Sequence, residues 1–131
     1  MHKVTCVIAV MVMAISMITV SANADTQRDK KPRFTKGKFA LPVNPDEVKA
    51  AWAAHGYSSV RQASYLQGWA RDAHTHARDI FITLLNGRME FIIDGQRFVV
   101  EPGDELFYPA HAVISARNMY DGTSIMLNTR H

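Results

Sequence analysis

A chain of 131 residues with 15 basic and 12 acidic side chains is expected to form one domain around a single core, and its formal charge of +3 is too balanced for a nucleic-acid binder. The only cysteine, Cys6, excludes an intramolecular disulfide and a cysteine-based metal site. Core packing has to stabilise the fold unaided.

Residues 1–24 combine a basic start at Lys3, an apolar run from Val4 to Val20 and the small-residue signature Ala22-Asn23-Ala24. This pattern predicts a cleavable secretory signal with cleavage after Ala24. The run is at the lower edge of a membrane span and is interrupted by Thr5, Ser16 and Thr19, which argues against a retained anchor. Cys6 stands near the start of the run rather than its end, so lipidation is not expected. Cleavage would remove Lys3 and leave 14 basic and 12 acidic side chains, a formal charge of +2. The expected location is periplasmic or secreted, without membrane attachment.

Residues 25–43 form the next expected unit. "RDKKPRFTKGK" carries six basic side chains against Asp29 alone and reads as a flexible, solvated linker. Residues 44–131 are the expected folded domain. Its first element is signalled by Asn44 as N-cap, Pro45 at the first helical position, Asp46 and Glu47 in the first turn, and Gly56 as terminator. Val48, Ala51 and Trp52 share one face of that helix, which predicts packing against the main body. His55 at its end is read as a surface residue.

After Gly56 the pattern changes to short β-prone runs: "SSVRQASYL", "IFITLL", "MEFIID", "QRFVVE", "ELFYP", "AVISARN" and "TSIMLNT". Asn86-Gly87, Asp94-Gly95 and Asp121-Gly122 between such runs are hairpin signals, because two-residue turns of type I′ need positive φ at both central positions. Repeated strands without a second helix predict an all-β sandwich or barrel. In "AVISARN", Ala112, Ile114 and Ala116 alternate with Val113, Ser115 and Arg117, so Ile114 is predicted to point inward. "IFITLL" is apolar on both faces, which leaves Ile80 unoriented and implies cover on both sides, by the helix or by a second subunit. Glu90, Glu101 and Glu105 are spaced as solvent-facing residues.

These residues resemble the cupin superfamily, small jelly-roll β-barrels. Its first motif runs Gly, five residues, His-x-His, three or four residues, Glu, six residues, Gly; here Gly68, His74, His76 and Gly87 fall in place. Its second runs Gly, five residues, Pro-x-Gly, two residues, His, three residues, Asn; here Gly103, Pro109 and Asn118 match. The resemblance implies an all-β cupin-type jelly roll with one N-terminal helix, pairing into a homodimer, and a metal held by three histidines and one carboxylate. Two of those ligands are replaced: the glutamate slot falls on Ile80 and the third-histidine slot on Ile114.

Two functions then stand open. In one, an exported cupin binds a small molecule in its barrel, over a degenerate divalent-metal site, with Ile80, Ile114, Trp69 and Tyr108 lining the pocket. In the other, His111 or Asp79 is recruited beside His74 and His76 to rebuild a site for Zn, Mn, Fe or Cu, which would serve a metal-dependent oxygenase or isomerase. His111 occupies the second motif's Pro-x-Gly glycine position, and some small cupins carry an aspartate where Asp79 stands. The two aliphatic replacements favour the first.

Overall fold

The computed structural model describes residues 30–129; the expected signal peptide and the start of the basic stretch lie outside the described residues. In chain order the elements are β1 (Arg33–Thr35), α1 (Pro45–Ala53), β2 (Val60–Tyr65), β3 (Ala70–His74), β4 (Ile80–Asn86), β5 (Met89–Ile93), β6 (Gln96–Val100), β7 (Glu105–Tyr108), β8 (Ile114–Asn118) and β9 (Ser124–Thr129). The strands form two antiparallel sheets, ordered β1-β7-β4-β9-β2 and β3-β8-β5-β6. Among the described residues no helix is long and apolar enough to cross a membrane.

The core lies between the sheets. Alternation sends Ile80, Ile82 and Leu84 of β4 inward with Leu106 and Tyr108 of β7, where they meet Met89, Phe91 and Ile93 of β5 and Ile114 of β8. The opposite face of the five-stranded sheet carries Phe81, Phe107 and Leu127, and α1 covers it with fully buried Val48 and Trp52. Each of those two side chains contributes about 1.5–3 kcal/mol by leaving water. The helix thus accounts for the second apolar face of β4. Asn44 caps it as expected, accepting the Asp46 N–H at 2.9 Å, and Trp52 Nε1 donates to Glu105 Oε2 at 3.0 Å.

Five local expectations need correction. The basic stretch is not wholly linker: Arg33–Thr35 pairs with β7, and Phe39 is buried beneath α1. Its charges point outward while the apolar residues between them dock, so composition alone concealed a strand. Only Asp94-Gly95 closes a hairpin as predicted, with φ of 48° and 83° joining β5 to β6. Asn86-Gly87 and Asp121-Gly122 instead carry the chain from one sheet to the other, since β4 does not pair with β5, nor β8 with β9. Gly87 is required by proximity as well as by its φ of 93°: a Cβ there would lie 2.1 Å from Ser124 Oγ. Finally, Glu90 is buried rather than solvent-facing, held by Arg97 and Arg117, and Glu105 is half-buried under Trp52.

Candidate functional site

A cavity of about 410 Å³ opens between the sheets. His74 reaches it because β3 is irregular. Arg71 pairs with Ala116 and His74 with Ile114, so three residues of β3 span two of β8. This bulge turns both Arg71 and His74 to the inner face, which strict alternation forbids. His76 follows in the loop, its carbonyl accepting the His111 N–H at 2.8 Å.

The two imidazoles meet at Nε2···Nε2 3.1 Å. His74 Nδ1 lies 2.8 Å from the Asp72 carbonyl, which can only accept, so Nδ1 carries the hydrogen. In the neutral pair, His74 Nε2 is then the acceptor and His76 Nε2–H the donor.

Ile80 and Ile114 also line the cavity, 4% and 2% exposed, beside Trp69 and Tyr108. The two slots where the cupin motifs would place a glutamate and a histidine therefore face the imidazole pair and present aliphatic carbon to it. Phe91, Ala116 and Met126 extend the apolar wall. Tyr65 packs on Trp69 with ring centroids 4.3 Å apart. Burial, reinforced by Tyr65 and opposed by Arg71, pushes the Tyr108 hydroxyl far above its usual range. Burial raises Tyr65 as well, against the pull of Arg61 and Arg71. Both phenols are thus neutral donors at physiological pH.

The structure does not bring His111 or Asp79 to the pair. Asp79 Oδ1 accepts the Ala110 N–H at 2.8 Å and Oδ2 the Tyr57 hydroxyl at 3.2 Å, while the residue after it, Ile80, takes the inward position. This carboxylate pins the loop before β8 to the outer side of β4. His111 adopts a φ of 68° in that loop and is exposed. His55 is exposed as expected, its ring stacked over Phe81 at 5.7 Å.

Five polar residues of the cavity were not singled out by sequence: Arg61, Tyr65, Arg71, Asn128 and Thr129. Arg61 and Tyr65 stand four apart on β2, a period that places them on one face, and this signal was available. Arg71 was concealed by the bulge.

Residues 63–129 match the cupin domain family, and the chain belongs to it. No curated protein matches the chain. Among solved structures, it is similar to acireductone dioxygenase from Bacillus anthracis, described with a cadmium ion in the active center, at 19% identity and a TM-score of 0.52, covering 64% of this chain and 57% of that one. AerE from Microcystis aeruginosa matches at 16% identity and a TM-score of 0.50, covering 53% of this chain and 33% of that one. A protein of unknown function from Streptococcus pyogenes matches at 19% identity and a TM-score of 0.48, covering 55% of this chain and 63% of that one. The chain therefore spans less than two thirds of each of these proteins, and at such identities the likeness is one of fold.

A family metal centre does not fit these side chains. The Nε2 separation of the pair is also that of two adjacent ligands about 2.1 Å from one ion. Beyond them the cavity offers Ile80 and Ile114, and no group of three or more His, Cys, Asp or Glu side chains is placed to hold a metal among the described residues. Two neutral nitrogens without an anionic ligand are a weak donor set for a divalent ion.

Proposed function

We propose that this chain is an exported cupin that binds a small organic molecule between its sheets, with His74 and His76 as hydrogen-bonding groups that orient the ligand. The observation carrying this reading is the aliphatic pair Ile80 and Ile114 lining the cavity opposite the imidazoles. A concavity of about 410 Å³ in which an apolar floor meets several convergent polar groups has the size of a small-molecule site. The imidazole pair offers a ligand both hydrogen-bonding roles, because an inserted hydroxyl can accept from His76 and donate to His74. Export is supported by Lys3, the run from Val4 to Val20 and Ala22-Asn23-Ala24.

The test is native mass spectrometry of the protein recovered after export, with a binding screen by thermal shift. Ala116 lines the cavity, so Ala116→Trp should fill it. The reading expects a mature chain beginning at Asp25 and small molecules that stabilise the parent but not the filled variant. A screen in which every stabilising compound acts equally on both proteins would refute it.

A further inference from the structure

The cavity is electrically one-sided. Arg61 and Arg71 both line it, and no aspartate or glutamate does. Arg61 stands on the inner face of β2 in register with Asn128, whose Oδ1 accepts its Nε–H at 3.2 Å. Arg71 is turned to the same cavity by the β3 bulge, opposite Ala116. Three arginines outside the cavity have partners: Arg97 and Arg117 share Glu90, and Arg33 lies 4.6 Å over the Phe107 ring. No carboxylate pairs with either cavity arginine among the described residues. Two guanidinium groups without a carboxylate partner among the described residues, set above a low-dielectric floor, focus positive potential into the opening. Their planar forks match a carboxylate with two parallel hydrogen bonds. Both arginines are exposed, whereas Ile80 and Ile114 are buried. The charged end of a ligand would therefore sit at the mouth and its carbon body below.

We infer that the ligand is a small organic carboxylate, its anionic end received by Arg61 and Arg71 and its apolar body lying on Ile80 and Ile114. This rests on the small-molecule reading above and narrows it to one chemical class. An inorganic anion would leave the apolar floor unused, and a neutral ligand would leave two cations unpaired.

Isothermal titration on the exported protein tests it, using benzoate, hexanoate and decanoate against their neutral amides, with inorganic phosphate as the bare anion. At least one acid should bind tenfold or more tightly than its amide, because only the acid makes charge-assisted bonds. The preference should fall below about threefold in Arg61→Gln with Arg71→Gln, and Ala116→Trp should abolish binding of acid and amide alike. The Arg71 side chain makes no hydrogen bond among the described residues, so Arg71→Gln alone should keep the parent's thermal midpoint and still lose most of the preference.

An amide that binds as tightly as its acid, or an acid preference that survives both arginine substitutions, would overturn the carboxylate assignment and leave the small-molecule reading standing. Arginine-dependent phosphate binding as tight as that of any acid would overturn the role of the apolar body. Failure of every acid and every amide to bind at millimolar concentration would overturn this inference, and the thermal-shift screen would then decide the broader reading separately.

Discussion

Replacing Ile80 by glutamate and Ile114 by histidine should turn the cavity into a tight divalent-metal site. Ile114 stands directly across from His74 in the β3–β8 register, and Ile80 enters the same cavity from β4 of the facing sheet. The double variant would present three imidazoles and one carboxylate to one point. Without metal it loses the burial of two isoleucines, about 1.5–3 kcal/mol each, and gains polar groups that the pocket does not satisfy. That is a large fraction of the 5–15 kcal/mol available to a typical domain. Metal at a hundred times its dissociation constant restores about 2.7 kcal/mol, which for about 100 residues raises the thermal midpoint by roughly 10–20 °C. Thermal unfolding with Zn or Mn, reversed by a chelator, reads the effect, and Ile114→His alone should respond more weakly. The parent should move by no more than about 2 °C on the same scale. A folded double variant whose midpoint ignores metal would refute the placement of both slots.

Other consequences follow from polar groups in the scaffold. Asn118 Nδ2 donates to the carbonyls of Tyr65, Leu66 and Gly122 at 2.9–3.0 Å, and its Oδ1 accepts from Tyr120 N and Ser124 Oγ. Asn118→Ala should cost about 2–4 kcal/mol in denaturant unfolding, since several part-buried groups and the buried Ser124 hydroxyl lose their partner at once; a loss below about 1 kcal/mol would contradict that role. Glu90, held by Arg117 and Arg97, has its carboxyl pKa lowered in the folded state. Its contribution is therefore complete above the unfolded value and fades as pH falls through the lowered folded value. The stability gap between the parent and Glu90→Gln should be full at about pH 6 and shrink progressively as pH falls below the ordinary carboxylate range. A gap that persists unchanged at about pH 3 would refute the assignment.

The features legible in the sequence were those set by local chemistry. The α1 cap at Asn44, the Asp94-Gly95 hairpin and the inward face of "AVISARN" each depend on residues within a few positions of one another. Asn86-Gly87 shows the limit. Its turn chemistry was recognisable, but whether the next strand pairs with the last or crosses to the other sheet is decided by distant partners such as Ser124. The motif spacing located His74 and His76, and it identified Ile80 and Ile114 as substitutions for ligands. It could not show that Asp79 binds Ala110 and Tyr57 instead of entering the cavity, because one residue of register separates the two faces of β4. Arg61 and Arg71 escaped notice because charged residues on strands default to solvent, and in Arg71 the bulge shifts that default by one position.

The proposed role of His74 and His76 is to serve a ligand rather than to hold a metal tightly. Metal content of the purified protein, stripped and reloaded with Zn, Mn, Fe and Cu in turn, measures this beside a His74→Ala, His76→Ala double variant. Far less than one equivalent of each metal is expected after desalting, in both proteins alike. Near-stoichiometric metal in the parent, absent from the double variant, would contradict it and restore a metal-dependent enzyme as the leading function.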